Sequence, residues 1–173
     1  MKAKAEGVVA RKLAEAIQGT KGFWLVKTEA DVYSIDRLRD EGTCLWEGVR
    51  NYQARNFMRD NMRVGDQVLV YHSNSEPTGI VGLCSVTRTG IPDPTAFAKK
   101  SPYFDEKSDP KKPTWICAEF KFEKKFMRTV VLDDLRAKKE LTSMLVIQKG
   151  QRLSVQPVTT AEFKVVVGMA AGK

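Results

Sequence analysis

The run Trp46-Glu47-Gly48-Val49-Arg50-Asn51-Tyr52-Gln53-Ala54-Arg55-Asn56 gathers side chains able to hold a planar ligand. Two aromatic faces, a cluster of amides, two guanidinium groups and a glycine meet at the mouth of a helix. A flat ring can stack on Trp46 or Tyr52 while the Asn51 or Gln53 amide, at once donor and acceptor, reads its edge. The same residues also describe a loop with a buried Trp, which is the commoner fate of that side chain, and an amide capping the helix.

Along that helix Arg55, Arg59 and Arg63 recur every four residues beside an apolar row of Ala54, Met58 and Met62. Like charges at this spacing repel by about 0.2–0.5 kcal/mol per pair, so the row calls for acids or an anion to answer it. Phosphate is one such anion, and Glu47, Asp60 and Asp66 are the internal alternative. His72-Ser73-Asn74-Ser75 and Lys27-Thr28-Glu29 follow or end strand-like segments. A lone histidine is more often hydrogen-bonded structure than catalyst, and Ser73 has no second histidine or lysine partner in sequence. Gly79-x-x-Gly82 has the spacing of a KH-type phosphate grip but lies within an apolar strand, where packing is the simpler reading.

The elements that must position these residues are short. Strands are expected at 23–28, 67–71, 79–86, 115–123, 129–132 and 152–155, which suits a curled sheet or barrel. Between them, Ser34 caps a helix at 35–41, with Tyr33 and Leu38 as a hydrophobic staple and Gly42 as its stop. Further helices are expected at 51–62 and 133–139. Near the C-terminus Val165-Val166-Val167 has strand propensity, yet Thr159-x-x-Glu162 is a capping box with Val158 and Phe163 as its staple, and the caps decide for helix. Residues 88–114 hold five of the seven prolines and form a long excursion between strands. Residues 1–22 make a basic N-terminal arm, helical or flexible, before the domain at 23–170 and a tail at 171–173.

Composition narrows the class. The 173 residues carry a net charge of +8, with five Lys/Arg against two acids in residues 1–22 and twenty-four against nineteen beyond, which suits a polyanionic partner. No apolar run approaches the roughly 20 residues that cross a bilayer, and the N-terminus lacks the apolar stretch of a secretory signal, so an intracellular, nuclear or cytoplasmic protein without membrane contact is expected. Cys44, Cys84 and Cys117 are too far apart for the close pairs of a zinc site and read as free thiols in a reducing compartment. Neither metal nor cofactor is expected.

Trp24-Leu25-Val26-Lys27-Thr28-Glu29, Tyr33-Ser34-Ile35, the run from Trp46 to Asn56, Val64-Gly65-Asp66, Tyr71-His72-Ser73-Asn74, Gly79-Ile80-Val81-Gly82 and, further on, Tyr103-Phe104-Asp105, Ser108-Asp109-Pro110 and Trp115 closely resemble the EVE-domain family. One departure is Ala30, where the family usually has proline. The resemblance covers about residues 23–170 and implies an α+β, PUA-like fold: a mixed β-barrel of about five to six strands flanked by short helices. It also implies a module that binds nucleic acid and accommodates a modified base, such as modified cytosine in DNA, with RNA an open alternative. A non-enzymatic protein is expected, because no second titratable group sits beside His72 or Glu29 in sequence, and a monomer is favoured. Trp46, Tyr52 and Tyr71 would form the stacking walls. Asn51, Ser73, Asn74 and Lys27 would give polar contacts, and Arg50, Arg55 and Arg59 would face phosphates. The rivals are an enzyme acting on nucleic acid with His72 or Glu29 as acid or base, and a protein-interaction module using residues 88–114.

Overall fold

A computed structural model describes residues 2–172, with side chains from Gly7 onward; Met1 and Lys173, the last residue of the expected tail, lie outside the described residues. Fifteen residues of helix α1 (Lys2–Ala16) precede β1 (Phe23–Glu29), α2 (Ile35–Glu41), β2 (Thr43–Leu45) and α3 (Tyr52–Asn56), which runs on as a π turn (Phe57–Asn61). Then come β3 (Gln67–Ser73), β4 (Gly79–Pro92), β5 (Ile116–Val131), α4 (Leu132–Ala137), β6 (Val155–Pro157) and α5 (Thr160–Ala170).

All six strands join one mixed sheet in the order β2-β5-β4-β3-β1-β6, with β1 and β3 parallel and the other pairs antiparallel. The closed barrel expected from the resemblance is therefore corrected to an open, bulged sheet. Its two edges, β2 and β6, are only three residues long each and do not pair with one another. The segments expected as two strands at 115–123 and 129–132 are one sixteen-residue strand, β5, whose register against β4 shifts repeatedly; each shift bends and twists the pair. Glycine is needed on that pair because a Cβ on Gly79 would stand 2.4 Å from the Val130 carbonyl oxygen, and one on Gly82 2.5 Å from that of Lys124. The Gly79-x-x-Gly82 spacing is strand packing.

Alternation along the strands divides the core. Trp24, Val26, Val68 and Val70 join Leu38, Met58 and Phe120 on one face, while Leu25, Leu69, Tyr71 and Ile80 join Leu135, Leu141 and Val166 on the other. Local signals set the helix ends. The Ser34 hydroxyl accepts from the Arg37 N–H at 3.0 Å, Gly42 closes α2 at φ 77°, and Thr159 and Glu162 make the reciprocal capping box of α5. Val158 and Phe163 pack into the same core cluster beside it. Helix α1 docks on the domain, with Val9 and Ala16 buried and Val8, Leu13 and Ile17 packed beside them.

Candidate functional site

The gap between the two sheet edges is a cleft of about 880 Å³. Its walls are the end of β1 (Lys27, Thr28, Glu29), Tyr33, Arg37 and Glu41 of the α2 region, β2, residues 46–50, Tyr103, and Arg152 and Ser154 ahead of β6. That volume lies within the roughly 300–1,000 Å³ usual for small-ligand sites. The edges that would have closed a barrel instead hold this opening.

Trp46 is the apolar floor of the site. It is 7% exposed, packs its ring edge-on against Tyr33 (6.3 Å, 86°) and at a tilt against Phe120 (5.5 Å), and its backbone N–H donates to the Ala118 carbonyl at 2.8 Å. Four cations and three carboxylates surround it. The Arg37 Nε donates to Glu41 at 2.7 Å, the Tyr33 hydroxyl donates to the same carboxylate at 2.5 Å, and the Asn74 amide donates to Glu29 at 2.7 Å. Burial raises the Tyr33 hydroxyl pKa, aided by its bond to Glu41, and pushes the neighbouring Cys44 thiol up to about 11. Both are neutral at physiological pH. Burial lowers the Lys27 ammonium, whose Nζ donates to the Gln151 carbonyl at 3.4 Å. Burial also raises the Glu47 carboxyl, with the Asp93 carboxylate adding to the effect.

The wall formed by residues 48–50 is tied in place by Asp93, which the sequence did not single out as a site residue. Its buried carboxylate accepts from the Gly48 N–H (2.9 Å), the Arg50 Nη1 (2.7 Å), the Thr95 N–H (2.9 Å) and the Thr95 hydroxyl (2.5 Å). Arg50 in turn donates Nε to the Tyr103 carbonyl at 2.9 Å and Nη2 to Thr95 at 3.0 Å, and its guanidinium lies over the rings of Tyr103 and Trp115. Gly48 adopts φ 77°, and a Cβ there would meet the Tyr103 ring at 2.7 Å. Residues 48–50 and the proline-rich excursion are thereby one rigid wall.

Of the expected site residues, Lys27, Trp46, Arg50 and Ser73 line the cleft, and the others are placed elsewhere. Asn51 caps α3, its Oδ1 accepting from the Ala54 N–H at 3.0 Å. Tyr71 belongs to the core of the opposite sheet face, 6.0 Å from the Lys27 Nζ. Asn74, at φ 49°, reaches the cleft only through Glu29. Tyr52 is 61% exposed outside the cleft and stacks on Trp115 at 5.0 Å, with the Arg55 guanidinium 5.1 Å from its ring. Arg55 also donates to the Thr114 carbonyl and to Asn56, while Arg59 makes a two-pronged pair with Asp60 at 2.6 and 2.7 Å. The arginine row thus has internal partners. Reading the sequence missed Tyr33 as a wall, and missed Tyr103, Asp93, Glu47 and Arg152 altogether as site residues.

His72 makes a structural contact: its Nε2 accepts from the Ile35 N–H at the start of α2 at 3.2 Å, and burial lowers its pKa, which favours the neutral ring. Among the described residues no three of His, Cys, Asp and Glu group closely enough to hold a metal, and the three cysteines are free thiols. No helix among them is long and apolar enough to cross a membrane.

Asp93 makes the wall's stability testable. Burial alone would raise its pKa, but the bonds from Thr95, Arg50 and Gly48 outweigh that and hold it below the usual carboxylate value. A carboxylate depressed in the folded state stabilises above its unfolded value near 4 and stops doing so as pH falls through the folded one. Asp93→Asn is expected to cost about 2 kcal/mol at neutral pH, discounted because Arg50 keeps some solvent contact, with the gap to the parent narrowing below about pH 4. Urea unfolding across that range measures it; a gap independent of pH would contradict the ionic role.

The model of the EVE domain matches residues 22–169. Mouse thymocyte nuclear protein 1 is 35% identical over 166 residues, covering 85% of this chain and 73% of that protein, and the human protein is 34% identical over 172 residues, covering 88% and 76%. The crystal structure of human THYN1 protein in complex with 5-methylcytosine-containing DNA superposes with a TM-score of 0.80 at 35% identity, covering 86% of this chain and 96% of that one. A Pseudomonas syringae protein superposes at 0.83 with 38% identity, covering 86% and 99%.

Proposed function

The chain belongs to the EVE-domain family, and from that premise we propose that it binds DNA and holds a modified cytosine, 5-methylcytosine foremost, in the cleft between β2 and β6. The observation that carries this reading is the match to human THYN1 with DNA containing that base, over 86% of this chain at a TM-score of 0.80. A base lifted from the stack costs a few kcal/mol, which an aromatic floor and convergent polar groups offset. Trp46 and Tyr33 supply the aromatic surface, and Lys27, Ser73 and Glu47 the polar edge contacts. Tyr52, stacked on Trp115 and flanked by Arg55, is placed to take an adjoining base instead of the lifted one. Arg152, exposed at the cleft, is a phosphate contact that needs no internal pair broken, whereas Arg59 must leave Asp60 to serve as one.

We read the site as one for binding without turnover. The bond from Ile35 occupies the lone pair that a histidine base would need, and the same rival's other candidate, Glu29, accepts from Asn74. An intracellular place fits the three free thiols.

The test is competition between otherwise identical duplexes carrying 5-methylcytosine or cytosine, and the matching RNAs, at rising salt. Two or three phosphate contacts give a log–log slope of about −1.5 to −3 for every ligand, while the ratio between modified and plain DNA stays constant. Equal binding of modified and plain DNA refutes the reading, and preference for RNA redirects it.

A further inference from the structure

Resting on the reading above, we propose that Glu47 is the specificity residue of the cleft: it admits bases bearing an exocyclic amino group, cytosine and its 5-substituted forms, and rejects thymine and uracil. The problem it answers is chemical. Thymine and 5-methylcytosine share ring, methyl group and stacking face, so neither an aromatic floor nor a methyl-sized space tells them apart. They differ at position 4, an amino donor in one and a carbonyl acceptor in the other, and at N3, which is an acceptor in one and a donor in the other.

Most of the fixed charges favour the wrong base. Lys27, Arg37, Arg50 and Arg152 are donors only, and donors suit a carbonyl at position 4. Discrimination therefore requires an acceptor that cannot turn into a donor, a backbone carbonyl or, among side chains at neutral pH, a carboxylate. The cleft has three. Glu41 accepts from Tyr33 and Arg37, and Glu29 accepts from Asn74. Glu47 alone of them has no hydrogen-bond or ion-pair partner among the described residues, and it follows directly on the Trp46 floor. Its nearest charged influences are Asp93, which disfavours its ionised form, and Arg50, which favours it but is already bonded to Asp93. Glu47 is exposed at the cleft, so water satisfies it in the free protein; an incoming amino group replaces that water with a donor, whereas a carbonyl displaces it and offers none.

The experiment uses the full chain and duplexes that place 5-methylcytosine, cytosine, thymine or uracil opposite an abasic site, so that no base pair has to be broken for any of them. The parent protein is expected to prefer 5-methylcytosine over thymine by roughly 10-fold or more, the discrimination of one well-placed base contact. Glu47→Gln, whose amide can present either a donor or an acceptor, is expected to bring the two within about threefold while binding to all four falls with salt as in the parent. Glu47→Asp is expected to retain the direction of preference at a reduced ratio. A folded Glu47→Gln protein with the parent's full ratio overturns the proposal, as does a parent protein that binds thymine and 5-methylcytosine alike. If the parent rejects thymine yet binds cytosine and 5-methylcytosine equally, Glu47 stands and the preference for the modified base falls.

Discussion

Lys12→Met is expected to lower the unfolding free energy by about 3–5 kcal/mol, although residue 12 lies before the part of the chain that matches the EVE domain. The Lys12 ammonium is paired with Glu162 with side chains only 4% and 3% exposed, and it donates to the Ser143 hydroxyl at 2.9 Å. Glu162 is already committed on its other oxygen, which accepts from the Thr159 N–H at 2.9 Å in the α5 capping box. Removing the cation strands a carboxylate in a buried site, and the remaining neutral donors cannot replace a charge partner. Pairing Lys12→Met with Glu162→Gln is expected to restore part of the loss, because no charge is then left buried. Urea unfolding of the two variants decides it. A loss under 1 kcal/mol for the single change would show that α1 is not held to the domain by this pair.

That helix also marks a boundary of what sequence patterns convey. Arm or helix was open at residues 1–22 because the side chain that anchors α1 has partners 131 and 150 positions away. Signals within one turn were legible: Ser34 and Gly42 around α2, Thr159 and Glu162 at α5. The helical spacing expected of the arginine row is lost for a local reason of another kind. A π turn at Phe57–Asn61 replaces the 3.6-residue period, and Met62 is already extended, so Arg55, Arg59 and Arg63 do not share one face. Arg63 instead donates to the Ile17 and Gly19 carbonyls beyond the end of α1. That Tyr71 lies outside the cleft was not legible, because the run 68–72 is buried on both sheet faces and gives no alternation from which to tell them apart. The strand pattern left curled sheet or barrel open and the resemblance chose the barrel, because no pattern within a strand reveals whether two edges meet.

The cleft itself was half legible for the same reason. Trp46 and Arg50 stand out by residue type, whereas Asp93 is recognisable only once Gly48, Arg50 and Thr95 are seen to converge on it. Its flanking prolines announce a turn and say nothing of a partner 43 residues earlier. The excursion expected at 88–114 starts as strand, since β4 continues to Pro92, and Tyr103 reaches the cleft because Asp93 and Arg50 draw the loop inward.

Trp46 is where stability and recognition have to be separated. Replacing it by Ala is expected to cost about 3–5 kcal/mol of stability, since the ring fills the space between Tyr33 and Phe120 and is almost wholly buried. Loss of binding in that variant would therefore prove nothing about the base. Trp46→Phe is the informative change: a smaller ring keeps the aromatic contacts with Tyr33 and Phe120 but withdraws surface from the cleft floor. On folded protein it is expected to lower affinity for the 5-methylcytosine duplex by about 5-fold or more, within the 1–3 kcal/mol that stacking one base contributes. Binding to plain duplex is expected to change little, because contacts to phosphate carry no base information. The two ligands separate the roles, since a defect confined to packing would weaken both together. A folded Trp46→Phe protein with the parent's ratio of modified to plain binding would assign Trp46 to the core alone and leave Tyr33 as the aromatic wall of the cleft.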